Sequence, residues 1–301
     1  MYKYFGFGLL IESQIEFPEL LPWNFDEPEL TIVLGAVPDS LQEPYHSVRL
    51  SSIVSKSEYL LSIYNISKYY AGFGEKIIVE PFAGSDEKSV RLFLLGSVMA
   101  AIIYQRGWIP LHASAVIDKG ELVIFAGNSG VGKSTLAASL VDKGYQIFTD
   151  DICIFKQQGD SKKSIVGFAS YPMMKLWEDA ITGLNSKSFG KEEKVRYFLQ
   201  KYCHYFYDDF QVTDYPIKGI FILQTSRATK EVVIDRLTPM SSFKELEKTA
   251  YRRYLIAISG SNANHFNLIS DICGIVPVYK VSRPENEPVI GELADKVIAL
   301  F

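Results

Sequence analysis

Between Gly127 and Ser134 the chain reads Gly-Asn-Ser-Gly-Val-Gly-Lys-Ser, which meets the spacing G-x-x-x-x-G-K-[ST] at every fixed position. Glycines at 127, 130 and 132 let the backbone double back and turn successive N–H groups inward, a cradle for phosphate oxygens. Lys133 brings a point charge to β and γ phosphates, and the Ser134 hydroxyl is a hard oxygen ligand suited to Mg2+. His112 lies before this loop, and two adjacent carboxylates, Asp150 and Asp151, lie after it. Phosphoryl transfer needs charge neutralisation, a metal bridging β and γ oxygens, and a carboxylate to accept the proton of the attacking hydroxyl. The loop supplies the first two. One carboxylate beyond a neighbouring strand supplies a metal link or the base, and two in a row supply both. Ile152–Phe155 continues apolar after the pair, so these acids sit in buried surroundings and need partners.

These groups require elements to position them. Leu122–Phe125 is a short apolar run suited to a buried parallel strand. Behind the loop, Leu136, Ala137, Leu140 and Val141 recur at helical spacing, and Gly144 sits where a helix stops. Phosphate bound to such a loop lies at a helix N-terminus, where the dipole favours anions. Residues 108–118 predict a strand carrying His112 in its interior, with Lys119-Gly120 as a tight turn. Residues 145–155 predict a third strand, with the two aspartates in it or at its end. Further strands are expected at 164–168, 219–224, 231–237 and 276–281, and helices at 241–255, 263–273 and 287–301.

Upstream, 87–106 predicts a buried helix. Ahead of it, short strand-like runs alternate with connections that include Pro18, Pro22, Pro28 and Pro38. This divides the chain into a mainly β region, 1–86, and an α/β catalytic domain, 87–301, built on the phosphate loop. Aromatics crowd between Tyr197 and Phe210, among them Phe198, Tyr202, Tyr205 and Tyr207. They read as internal packing or as a mobile peptide-binding surface.

The chain has 301 residues, of which 48% are hydrophobic and 22% charged, the balance of a globular protein. A net charge of −4 argues against a broad nucleic-acid surface. Cys153, Cys203 and Cys273 are widely spaced, with no C-x-x-C pair and no zinc pattern, which points to a reducing cytoplasm. The N-terminal stretch does not read as a signal sequence. The longest apolar run, 92–104, falls short of the roughly 20 residues a bilayer span needs, so no membrane partner is expected.

The segment from Leu111 to Phe155 resembles the catalytic core of the HPr kinase/phosphorylase family, which has a histidine before the loop, a loop of the type G-x-S-G-x-G-K-[ST], and an Asp-Asp pair after the following strand. The resemblance extends more loosely through 169–177 and Lys194-Val-Arg196. It implies a P-loop catalytic domain of the HPr kinase type and an ATP- and Mg2+-dependent serine kinase acting on a peptide or protein. Nucleotide contacts then fall to Gly127, Asn128, Ser129, Gly130, Val131, Gly132, Lys133, Ser134 and Thr135, and metal contacts to Ser134 and Asp150. By the same analogy Asp151 is the general base and His112 a neighbour of the transferred phosphate, with the two aspartate roles open to exchange. The family's second Gly-rich signature, ending in Asp-Val, is missing from 176–196. The resemblance therefore leaves phosphorolysis, and the phosphocarrier HPr as substrate, open.

The stretch Phe7–Leu20 is similar instead to the smaller HPr-kinase-like proteins of lasso-peptide biosynthesis, which phosphorylate a serine near the C-terminus of a precursor peptide. Lys175, Lys194 and Arg196 are basic residues that could clamp phosphate or face solvent. A small-molecule kinase and a nucleotide-dependent switch without transfer are the competing readings, and a homo-oligomer stays open.

Overall fold

The computed structural model describes residues 1–49, 51–159, 164–184, 189–191, 193–195, 199–256, 262–285 and 289–301. Arg196, Tyr197, Phe198 and the expected helix start at Glu287 lie outside the described residues. Packing divides the chain into two units, Met1–Pro110 with Tyr251–Leu268, and Leu111–Ala250 with Ile269–Phe301.

In the first unit the alternating apolar runs become strands β1 (Tyr2–Gly6), β2 (Leu9–Ser13), β3 (Leu21–Pro22), β4 (Leu30–Leu34), β5 (His46–Arg49), β6 (Ser52–Val54), β7 (Glu58–Ile63), β8 (Ser67–Gly72) and β9 (Lys76–Pro81). They form one sheet in the order β3-β1-β2-β4-β9-β8-β7-β6-β5. The period of two is plain in β2, where Leu9, Ile11 and Ser13 are buried and Leu10 and Glu12 are half-exposed. The expected helix forms as α1 (Glu87–Phe93), a π-helical turn (Leu94–Val98) and α2 (Met99–Gln105). Asp86 caps it by accepting the Ser89 N–H at 2.8 Å. This helix packs with the N-terminal sheet, so the units divide later than the boundary expected after residue 86. The Tyr69 hydroxyl donates to the Val90 carbonyl at 3.0 Å, and Gln105 Nε2 to the Ala71 carbonyl at 3.1 Å. Periodicity located the helix; long-range bonds such as these assign it to a unit.

The second unit carries β11 (Ala113–Asp118), which follows β10 (Ile109–Leu111), and continues with β12 (Glu121–Gly127), α3 (Lys133–Asp142), β13 (Gln146–Thr149), β14 (Cys153–Gln157), β15 (Ile165–Ala169), β16 (Met173–Trp177) and α4 (Glu178–Leu184). Then come β17 (Glu193–Lys194), β18 (Lys201–Tyr205), β19 (Tyr215–Ser226), β20 (Val233–Arg236), α5 (Pro239–Thr249), α6 (Asn262–Ile275), β21 (Val278–Pro284) and α7 (Ile290–Ile298). The unit boundary falls inside α6, after Leu268.

The main sheet runs β14-β15-β19-β12-β11-β13, with β21 parallel to β19 and β20 antiparallel to β21. The expectation of a parallel phosphate-loop strand holds on one side only: β12 is parallel to β19 and antiparallel to β11. Lys119 and Gly120 both have positive φ, 51° and 83°, the geometry of the tightest hairpin turn. α3 and α7 cover the sheet, burying Leu136, Leu140, Leu293 and Val297 against Val123, Phe125 and Phe221. A small antiparallel sheet, β16-β18-β17, takes up part of the aromatic-rich stretch. Cys153, Cys203 and Cys273 are buried free thiols. Among the described residues no helix is long and apolar enough to cross a membrane.

Candidate active site

The loop between β12 and α3 owes its path to glycine. Gly127 has φ 145°, and a Cβ there would stand 2.6 Å from the Leu223 carbonyl oxygen on the neighbouring strand. Gly132, just before α3, has φ 102°, a left-handed value that L side chains rarely adopt. Lys133 is 5% exposed, and its Nζ donates to the carbonyls of Gly127 and Asn128 at 3.1 and 3.0 Å. Burial, opposed by Asp150 and Asp151, lowers its pKa to about 8. Arg283, at the end of β21, donates from Nε and Nη2 to the Val131 carbonyl at 3.3 and 3.1 Å and so braces the loop.

A cleft of about 340 Å³ opens over the start of α3, lined by Ser129, Gly130, Gly132, Lys133, Ser134 and Thr135 from the loop side. His112, Asp150, Asp151 and Lys175 line it as well. Gly127, Asn128 and Val131 stay behind this lining and act through their carbonyls.

Asp150 leaves the end of β13 and is 1% exposed. Its Oδ1 accepts the hydroxyls of Ser114 and Ser134 at 2.6 and 2.7 Å, and its Oδ2 accepts the Lys175 backbone N–H at 2.9 Å. Such a carboxylate is satisfied while buried, as burial requires. Asp151 turns the chain with φ 70°, which Asp and Asn tolerate better than most residues. Its side chain is 28% exposed to the cleft, and its Oδ2 accepts Lys175 Nζ at 3.0 Å. Burial pushes the Asp151 carboxyl up, but the Lys175 ammonium and His112 outweigh it and hold it well below the usual carboxylate range. Lys175, which also donates to the Tyr171 hydroxyl at 3.0 Å, is in turn held well above its ordinary value: burial lowers it and Asp151 more than compensates. The pair is therefore charged at neutral pH.

His112 does not sit inside a strand as expected. The strand breaks there into β10 and β11, and the His112 N–H donates to the Thr249 carbonyl at 2.8 Å instead of joining the sheet ladder. This turns the imidazole toward Asp151, with Nε2 3.5 Å from Oδ1. Burial, helped by the Lys133 charge, lowers its pKa to about 4, so the ring is neutral near pH 7.

The arrangement offers a phosphate cradle, one ionised carboxylate lining the cleft, and two hard oxygens, Ser134 Oγ and Asp150 Oδ1, at 2.7 Å. That oxygen pair fits Mg2+, which takes one or two protein oxygens and completes its shell with phosphates and water. No group of three or more His, Cys, Asp or Glu able to hold a metal occurs among the described residues.

Of the basic residues singled out by sequence, Lys175 is committed to Asp151. Lys194 lies opposite Tyr202 in the small sheet, with its ammonium 5.9 Å from that ring's centroid. Sequence reasoning missed Ser114, Trp177, Lys201 and Arg283. Ser114 stands two residues from His112, a strand-like spacing that could have flagged it; Arg283 left no local signal.

No protein-family model matches the chain. Over 51 residues it is 35% identical to the HPr kinase/phosphorylase of Chlorobaculum tepidum, covering 17% of this chain and 15% of that one. Over 50 residues it is 38% identical to the HPr kinase/phosphorylase of Chlorobium limicola, with the same coverage of 17% and 15%. A longer stretch of 136 residues, 44% of this chain, is 30% identical to 21% of the phosphoenolpyruvate carboxykinase (ATP) of a Bradyrhizobium species. The chain thus spans 15% to 21% of the length of these curated relatives. Among solved structures, the Hpr(Ser) kinase/phosphatase from Coxiella burnetii aligns over 64% of this chain and 96% of its own, at 13% identity and a TM-score of 0.32.

Proposed function

We propose that this chain is a P-loop kinase of the HPr kinase type that transfers the γ-phosphate of ATP, with Mg2+, to a serine hydroxyl of a peptide or protein. The observation that supports it best is the division of labour between adjacent carboxylates. Asp150 is buried on Ser134, and Asp151 faces the same cleft, ionised, beside Lys133. A nucleotide switch needs the first; a hydroxyl acceptor also calls for the second.

ATP would supply the phosphoryl group, and Mg2+, when bound, would supply charge neutralisation. Ser134 Oγ and Asp150 are the residues to hold that ion. The N–H groups at the start of α3 face the phosphates, and Lys133 exchanges its two loop carbonyls for phosphate oxygens. Asp151 orients the acceptor hydroxyl and takes its proton as the serine oxygen bonds to phosphorus. The bond from phosphorus to the bridging oxygen breaks, and its electron pair leaves with ADP. Neutral His112 stands 3.5 Å from one oxygen of this carboxylate, and Lys175 fixes the other. The C-terminal serine of a lasso precursor is the specific acceptor this reading favours, on the strength of Phe7–Leu20. The test is a mass-spectrometric comparison of a peptide ending in serine with free serine. A phosphopeptide and no phosphoserine are expected; the reverse would make the enzyme a small-molecule kinase.

Two consequences follow from single groups. Lys133 carries its charge below about pH 8 and loses it as pH rises through that value. ATP affinity should therefore be flat near pH 7 and weaken above 8, approaching roughly tenfold per pH unit; calorimetry across this range checks it. Ser134→Ala should raise the Mg2+ needed for half-maximal rate by about tenfold, through loss of one oxygen ligand. A Mg2+ titration that does not move would remove Ser134 from the metal.

A further inference from the structure

We propose that Lys201 contacts the γ-phosphoryl group as it is transferred, acting as a second cation opposite Lys133. This rests on the kinase reading above and adds to it a catalytic residue that neither the phosphate-loop spacing nor the Asp-Asp pair indicates.

The small sheet aims Lys201 at the cleft. In the β16–β18 register Trp177 stands opposite Lys201, and Lys175 stands opposite Cys203. Alternate strand residues share a face, so Lys175, Trp177 and Lys201 project together. Tyr202 and its cross-strand neighbour Lys194 occupy the other face. Trp177 and Lys201 accordingly line the same cleft as Lys133 and Asp151.

An accounting of the cleft cations singles Lys201 out. Lys133 donates to loop carbonyls, Lys175 to Asp151 and Tyr171, and Arg283 to Val131 and Pro284. Lys201 has no carboxylate within ion-pair distance among the described residues; its Nζ lies 5.6 Å from the Trp177 ring centroid. An aromatic face steadies an ammonium without neutralising it, so the charge is kept for an anion.

Position decides which anion. Lys201 lines one cleft with Lys133, on the phosphate side, and with His112 and Asp151, on the acceptor side. A group within reach of both sides is near the phosphoryl in flight and remote from the α-phosphate. There Lys201 bonds to nothing covalently; it neutralises charge on the equatorial oxygens as the bond to ADP breaks.

The test compares ATP and ADP affinities, and turnover, for wild type, Lys201→Met and Lys201→Arg. Lys201→Met should weaken ATP by about tenfold and ADP by less than about twofold, and lower kcat by about two to three orders of magnitude. Lys201→Arg should recover most of both. If Lys201→Met does not fold, Lys201→Gln carries the same comparison. Equal weakening of ATP and ADP, or unchanged affinities and kcat, overturns the proposal. So do unchanged nucleotide affinities with only a higher KM for the acceptor, which would make Lys201 a contact for an acceptor carboxylate. Wild type that binds neither nucleotide overturns the kinase reading as well. Wild type that binds ATP more tightly than ADP, with a Lys201→Met variant equally selective, overturns this inference alone.

Discussion

Asp151→Asn should cut phosphate transfer by about two to four orders of magnitude, the scale of losing a positioned base, while ATP remains bound. Asparagine suits the backbone, because the left-handed φ of 70° at this position is one that Asn adopts readily. The amide has the shape of the carboxylate but cannot accept the acceptor's proton. Nucleotide contacts lie elsewhere, on the loop and Lys133, so affinity should change little. The substitution has a second effect, on stability. Lys175 is held charged by Asp151, and its side chain is only 9% exposed. Removing the carboxylate strands a buried ammonium, at a cost of about 3 kcal/mol. Adding Lys175→Met should return most of that stability in urea denaturation without returning activity. A double variant regaining both would mean that Asp151 only neutralises Lys175.

Asp150→Asn should fail differently. The carboxylate accepts two hydroxyls on one oxygen and a backbone N–H on the other. An amide offers one acceptor oxygen and one donor. With its NH2 toward the Lys175 N–H two donors collide; with its NH2 toward Ser114 and Ser134 both hydroxyls lose their acceptor. A loss of about 2 kcal/mol is expected in either orientation, since a buried polar group goes unsatisfied. Ser134 loses its orientation with it, so turnover should fall about 100-fold or more, and part of that loss should respond to higher Mg2+ or to Mn2+. Metal titrations of the Asp150→Asn and Asp151→Asn variants side by side check this. Equal responses would mean that the two aspartates do not divide the roles as proposed.

Much of this site was legible because its parts are local. A phosphate loop is a run of fixed spacing between a strand and a helix, and both flanking elements announce themselves by periodicity over Leu122–Phe125 and Leu136–Val141. The aspartate pair stands out because two acids interrupt an otherwise apolar stretch. What could not be read depends on register between distant segments. Lys201 lies in a stretch whose aromatics suggested packing, and only its pairing with Trp177 turns it toward the cleft. Arg283 reaches Val131 across 152 residues of chain. His112 was expected inside a continuous strand because its neighbours are apolar; the bond to the Thr249 carbonyl that breaks the strand has no local signature. The helix after Asp86 was found by periodicity, but its place with the N-terminal sheet depends on the Tyr69 and Gln105 bonds.

The central claim is transfer to a hydroxyl, as opposed to hydrolysis. The direct measurement uses γ-labelled ATP, Mg2+ and a pool of serine-containing peptides, and follows where the label goes with wild type and with Asp151→Asn. The account predicts label on peptide serine with wild type, and ATP bound but label left on the nucleotide with Asp151→Asn. Label released as inorganic phosphate in step with ATP consumption, with no peptide modified, would contradict it.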